Sequence, residues 1–387
     1  MDKIKLNYKK NIIYLIIINK YKYLIFLVYL FINIMIKKKN KKIGIIGLPH
    51  SQNIGNNLLK FAMYIKLSEL GFDPYIIGKR QGNANISFIL KRIKVRLIKK
   101  NFSEINENDY DILMVNSDQT WRKHKNKFFY NTAFLSFSKN WNKPKFVYGA
   151  SIGVDFWPYT KQEDKIVKSL IKNFNGISVR EKGTIKFIES HLGFRPILVL
   201  DPTLLIDKRN YLNLIKNFKI ENITDNKFIF IYTLTHSRKL NIFIERIIQK
   251  FNYKIYLIDI NTINAIQKFI YGIYKSKAVI TDSYHWTIFS IIFNKAFISF
   301  VYKGRGKERF NNLKEIFNLE NRIVYEDSSP DINLLEKPLN INRNALNSLK
   351  KKSIHFLKEN LFFLQWKIFK IIFSFFLFFS VKIIGQI

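Results

Sequence analysis

The chain has 387 residues, no cysteine and a formal charge of +37. That length accommodates two ordinary domains with separate cores, and the lack of cysteine excludes disulfides and thiolate metal sites and suits a reducing cytosol. The charge is spread as lysine along the chain, with no Arg-rich arm, zinc-finger spacing or RRM signature, so no specific nucleic-acid partner is expected; anionic lipid or an anionic small substrate fits it better.

Residues 1–41 read as an apolar and basic segment. Within 11–36 two apolar runs are split by Asn19, Lys20 and Lys22, and a basic run follows. A spanning helix needs about 20 apolar residues, lysines at mid-bilayer are costly, and the small-residue cleavage site of a signal peptide is missing. At the other end, LFFLQWKIFKIIFSFFLFFSVKII (361–384) sets lysines around a Phe-rich block. That pattern suits a helix lying in the membrane interface with its lysines snorkelling, or a terminal core helix.

Between these ends, strand-like apolar runs alternate with helix-length amphipathic segments, the pattern of an α/β protein with largely parallel sheets. KIGIIGL (42–48) is followed by the polar loop PHSQNIGNN, a helix from about Leu58 to Leu70 closed by Gly71, and the strand PYIIG. Strands are then expected at 111–116, 145–151, 176–181 and 196–201. The polar stretch after Asp207 reads as a domain connection, and a second series follows with strands at 228–234, 254–260, 278–283 and 296–302. The expected organisation is two Rossmann-like domains with parallel sheets, 42–207 and 208–342, then a helical and membrane-associated tail over 343–387.

Polar clusters at the predicted strand ends mark the carboxyl edge of a parallel sheet, where such folds place their ligands. The strongest is TDSYHW (281–286), between an apolar strand and an apolar helix. Asp282 and Ser283 there can cap the helix or bind substrate, and His285 can hold an imidazole at the mouth of a cleft. PHSQNIGNN could present amides, Asn53 and Asn56 to an anion or a sugar, or could simply be a turn and N-cap. In NSDQTW (116–121), Asp118 either caps a following helix or serves as a base or ligand for an acceptor hydroxyl, and Trp121 is packing or a sugar platform. Arg180 in SVRE has the fork for a carboxylate or phosphate; paired with Glu181 it would be surface structure. Asp201 in DPTLLID reads as a turn organiser. KGRGKERF (303–310) offers Lys303, Arg305, Lys307 and Arg309 to an anion. GxGxxG, GxxxxGK[ST], HExxH and GxSxG are absent, which argues against dinucleotide binding, nucleoside triphosphate hydrolysis, zinc proteolysis and serine hydrolysis.

Taken in order, NIGNNLLKFAMYIKLSELGF, NSDQTW, YGASIG, ISVREKGTIKFIESHLGF, VLDPTLL and VITDSYHWTIFSIIFNKAFI resemble the polysaccharide pyruvyl transferase family over roughly residues 42–324. The resemblance implies a glycosyltransferase-B-like fold. It also implies transfer of the enolpyruvyl unit of phosphoenolpyruvate to two hydroxyls of a surface glycan or its lipid-linked precursor, with no metal or organic cofactor. It aligns Arg180 and His285 with the residues that bind and activate the donor; Asp118, by its own place at a strand end, is expected to orient an acceptor hydroxyl. Two positions depart from the family pattern: Asn116 and Trp286 stand where glycine is usual. A Trp beside His285 is expected to fill space that donor or acceptor would use. The other readings of the same fold are a glycosyltransferase with a nucleotide-sugar donor and a membrane-associated assembly protein without turnover. Placement at the inner face of the cell membrane follows from the apolar ends.

Overall fold

The computed structural model describes residues 22, 26, 41–48, 53–79, 87–125, 129–220, 228–235, 237–258, 262, 264–304 and 306–362. The first sheet contains β1 (Lys42–Ile46), β2 (Asp73–Gly78), β3 (Val95–Leu97), β4 (Ile112–Val115), β5 (Lys145–Ala150), β6 (Gly176–Val179) and β7 (Ile197–Leu198) in the order β3-β2-β1-β4-β5-β6-β7. The second contains β8 (Phe228–Tyr232), β9 (Lys254–Leu257), β10 (Ala278–Thr281), β11 (Ala296–Val301) and β12 (Ile323–Tyr325) in the order β12-β11-β10-β8-β9. Every pairing is parallel. The chain is therefore an α/β protein with two Rossmann-like parallel sheets, as the alternating pattern predicts.

Helices cover the sheets, so central strands such as β4, β5, β10 and β11 are buried at every residue and read as mostly apolar runs, with Lys145, Thr281 and Ser299 as the polar or charged exceptions. That is why they are legible in the sequence. The two strands it misses, β3 (VRL) and β12 (IVY), are three-residue edge strands with no such run.

The first sheet reverses its winding between β1 and β4, and the second between β8 and β10. Loops leaving the carboxyl ends of the strands diverge at such a reversal and open a crevice. After β1 comes α1 (Ile54–Glu69), which starts four residues earlier than its apolar run suggests. Asn53 sets that start by accepting the Asn56 amide on its side chain at 2.9 Å. The first-sheet region continues with α2 (Lys161–Ile171) and α3 (Lys182–Leu192). The connection after Asp207 begins with α4 (Lys208–Asn213), whose buried Tyr211 packs edge-on against Phe289 at 4.8 Å. The second-sheet region carries α5 (Arg238–Lys250), α6 (Ala265–Lys275), α7 (Tyr284–Ile292) and α8 (Lys307–Phe317).

The segment 343–387 opens with the helix α9 (Arg343–Leu361). Ser353, Phe356, Leu357 and Asn360 lie on one face at helical spacing and are buried. Phe356 packs on Phe146 and Tyr148 of β5, and the Leu200 amide donates to Ser353 Oγ at 2.8 Å. Residues 343–360 thus return to the first sheet. Most of the apolar run over 11–36, and 363–384, lie outside the described residues; among the described residues no helix is long and apolar enough to cross a membrane.

Candidate active site

The two reversal points meet. Gly55, in the first turn of α1, lies so close to the His285 ring on α7 that a Cβ there would overlap Nδ1. His285 is 8% exposed, and its Nε2 has no hydrogen-bond partner among the described residues, with Asp201 Oδ2 at 4.0 Å. Burial pushes the imidazole down from its ordinary value, against the pull of Asp201 and Asp118.

Arg180, at the end of β6, is the hub of the cluster. It donates Nη1–H to Asp201 at 2.6 Å, Nη2–H to Asp118 at 3.0 Å and Nε–H to Glu181 at 3.1 Å. Burial alone would depress the guanidinium, but Tyr284 and the three carboxyls outweigh it and hold the charge more firmly than usual. The fork expected to grip a donor anion is thus spanned by side chains of the chain itself, with three of its five donors spent. Its carbonyl accepts the Asn312 side-chain amide from α8 at 2.9 Å, tying the second-sheet region to the first.

Asp118 does not cap a helix, since turns follow it. It adopts φ of 93° and bridges to Ala150. Its carbonyl receives the Thr120 and Ser151 amides while its carboxylate faces Arg180. Such backbone strain costs of order 1–3 kcal/mol and tends to sit at functional sites. Burial would raise the carboxyl, but Arg180, with His285 and Arg309, holds it below its ordinary value. Glu181 goes the other way: burial raises it and Arg180 only partly opposes. Asp201 does organise its turn, accepting the Thr203 amide on Oδ1 at 3.0 Å, and also presents Oδ2 to Arg180.

Tyr284 lies between two guanidiniums, with Arg180 and Arg309 each 5.0 Å from its ring centroid. Of the basic loop, Arg309 is therefore drawn into the cluster while Lys303 stays exposed; Arg305 lies outside the described residues. Asp282 is committed elsewhere, its oxygens accepting the Leu234 and Thr235 amides at 2.6 and 2.8 Å and fastening the loop after β8. Ser283 stands at the N-cap of α7 without a side-chain cap bond, and its carbonyl accepts the Thr287 amide. Asn53 caps α1 and Asn56 is buried beside it. Trp121 is packing: it is fully buried and donates Nε1–H to the Ala133 carbonyl at 2.9 Å.

Trp286 does not fill the cleft as its sequence position suggests. It stacks on Tyr232 at 4.5 Å and packs against Phe230 and Phe269 at 4.8 and 4.7 Å, inside the second-sheet region. Consecutive helix residues point about 100° apart, so His285 can face the crevice while Trp286 faces the interior. Lys60 is the residue that motif reading misses. It is 2% exposed on α1, and burial brings its amine down to about 7 against the opposing charge of Asp118. The signal was present as polar residues 53, 56, 57 and 60, one face of the first half of a helix whose other residues there are apolar or glycine.

The profile of one family, polysaccharide pyruvyl transferase, matches residues 53–304, a span that holds every residue of this cluster except Arg309 and Asn312. The chain belongs to the polysaccharide pyruvyl transferase family. It is thus a transferase of polysaccharide pyruvylation, and the matched span runs from the cap of α1 through the loop after β11. No curated protein matches the chain. Among solved structures, UDP-GlcNAc 2-epimerase from Neisseria meningitidis bound to UDP-GlcNAc is 14% identical, with 82% of this chain and 100% of that chain covered at a TM-score of 0.49. The S. aureus MnaA–UDP co-structure is 13% identical, covering 84% and 97% at 0.46. UGT89C1 of Arabidopsis thaliana, complexed with UDP-L-rhamnose, is 9% identical, covering 84% and 98% at 0.47. Likenesses this distant carry no argument about what this pyruvyl transferase family member binds. Among the described residues no group of His, Asp and Glu side chains could hold a metal ion.

Proposed function

We propose that the chain transfers the enolpyruvyl unit of phosphoenolpyruvate to two hydroxyls of one sugar in a surface polysaccharide or its lipid-linked precursor, forming a pyruvyl ketal. The observation that carries this reading is His285: a buried imidazole whose Nε2 has no hydrogen-bond partner among the described residues, at the crevice of a member of this family.

The donor's C3 must gain a proton before C2 can accept a hydroxyl oxygen, and His285 is the acid placed for that step. Its depressed affinity for protons describes the unliganded protein. A donor carrying a carboxylate and a phosphate brings negative charge beside the ring, which raises that affinity when it is needed. Arg180 and Arg309 supply fixed positive charge around Tyr284. Arg180 acts here by holding Asp118, Glu181 and Asp201 in place rather than as a free fork. Asp118, kept ionised, is suited to accept a hydrogen bond from an acceptor hydroxyl. The apolar and basic ends motivate peripheral contact with the inner face of the cell membrane, where lipid-linked sugars are exposed.

The test is mass spectrometry of surface glycan from cells with and without the gene, together with phosphate release from phosphoenolpyruvate by the purified chain acting on glycan from the deleted cells. A pyruvyl ketal that depends on the gene is expected, and His285→Gln is expected to lower turnover by about 10²–10⁴. A folded His285→Gln protein with wild-type turnover would end the assignment.

A further inference from the structure

The loop after β5 has no role in the scheme above. Residues 151–160 leave the carboxyl end of β5 beside the cluster, where the Ser151 amide donates to the Asp118 carbonyl at 3.1 Å. Gly153 then turns the chain with φ of 66°, its amide donating to Ser151 Oγ at 3.1 Å. Asp155 Oδ1 next accepts the Glu308 amide at 3.4 Å, in the first turn of α8 and one residue from Arg309. The loop therefore runs along the crevice from the Asp118 side to the Arg309 side, joining one sheet region to the other.

Phe156 follows directly and is 62% exposed, more than any other Phe, Tyr or Trp among the described residues. A single exposed apolar side chain is ordinary on a protein surface. This one differs in being held. Behind it, Trp157 donates Nε1–H to Asp164 Oδ1 of α2 at 2.8 Å. The indole also stacks on His191 of α3, with centroids 4.7 Å apart and planes 15° from parallel. His191 Nδ1 lies 3.4 Å from the other oxygen of the same carboxylate. Asp155 and Trp157 are thus fixed to different helices, and the phenyl ring between them is displayed on backbone that is already ordered. Contact made by such a ring avoids the entropic cost of ordering a loop.

We propose that Phe156 is a platform for the acceptor glycan, stacking on the C–H face of a sugar ring next to the one that reacts. The proposal rests on the pyruvyl-transfer reading for its acceptor. The reacting sugar has to bring its hydroxyls to His285, which is only 8% exposed, so the rest of a polymer must cross the rim of the crevice. One face of a pyranose presents its axial C–H groups, and that face and a phenyl ring shed water against each other. A small, multiply charged anion gains nothing from such a ring. The charge suited to the donor lies on Arg180 and Arg309, both buried, so the platform serves the acceptor.

The experiment compares Phe156→Ala and Phe156→Tyr with the wild-type chain, using phosphoenolpyruvate and glycan from gene-deleted cells. Phe156→Ala should raise KM for the glycan about tenfold and weaken glycan binding in calorimetry by the same factor. Its kcat, donor affinity and melting temperature should stay at the wild-type values, and Phe156→Tyr should restore glycan affinity. Unchanged KM and glycan affinity in Phe156→Ala would overturn the proposal alone. So would a loss of donor affinity, which would place the ring at the donor. A dimer in sedimentation that Phe156→Ala dissociates, with glycan affinity retained, would assign the ring to a contact between copies and overturn the proposal as well. A chain that binds the glycan through Phe156 yet transfers no pyruvyl group would end the pyruvyl-transfer reading and leave the platform standing. A chain that neither binds nor modifies the glycan would overturn both.

Discussion

Gly55 and His285 come from opposite sheets, and the imidazole rests on the α1 backbone where a side chain at residue 55 would otherwise begin. The glycine is there for closeness of approach, since its backbone lies within a regular helix. Gly55→Ala gains up to about 1 kcal/mol of helix propensity, while overpacking costs about 1–3 kcal/mol. Net stability should therefore fall, by at most about 2 kcal/mol within those ranges. The ring must move, however, and a displacement of about 1 Å at a reacting group can cost about 10² in rate. Calorimetry and turnover on the same sample would separate the two effects; unchanged turnover would show that the contact is incidental.

Arg180→Lys keeps one charge but cannot span three carboxyls. It leaves buried acids without partners, a loss of about 3–5 kcal/mol for a broken buried pair, so the melting temperature should fall sharply. The sign with pH follows from Asp118, whose native affinity for protons is depressed chiefly by Arg180 against burial. Its stabilisation is present above the unfolded carboxyl value and is lost as pH falls through the native one. Wild type should therefore lose stability on acidification more steeply than Arg180→Lys. Parallel curves for the two proteins would contradict this account.

Trp286→Gly removes a ring stacked on Tyr232 and packed against Phe230 and Phe269. The expected cost is about 3–5 kcal/mol, as for other buried aromatic truncations. Denaturant melts should show that loss without a broader choice of acceptor. A stable variant with new acceptors would place Trp286 in the cleft after all.

Lys60→Met tests the burial of the amine by stability alone. The amine binds a proton at about 7 in the native protein and near 10.5 when unfolded. Between those values the unfolded chain holds more protons, so stability rises with pH and the wild type is penalised most at and below neutrality. Lys60→Met should be more stable than wild type at pH 7, by an amount on the order of a few kcal/mol. The difference should shrink toward pH 10. Equal melting temperatures across that range would mean that Lys60 is ordinarily charged and solvated.

What the sequence by itself determined was the series of strands and the polar residues at their ends. Buried parallel strands need apolar side chains on both faces, so β4, β5, β10 and β11 stand out as runs, and His285, Asp118 and Arg180 follow at the edges. The tertiary structure alone decided how those residues are used. Whether Arg180 offers its fork to a ligand or spends it on Asp118, Glu181 and Asp201 depends on acids up to 62 positions away. Whether Trp286 fills the cleft depends on where Tyr232 and Phe269 lie. Lys60 needed the same information: a lysine on a helix is ordinarily a solvated surface residue, and only the packing of α1 beneath the crevice takes its amine out of water.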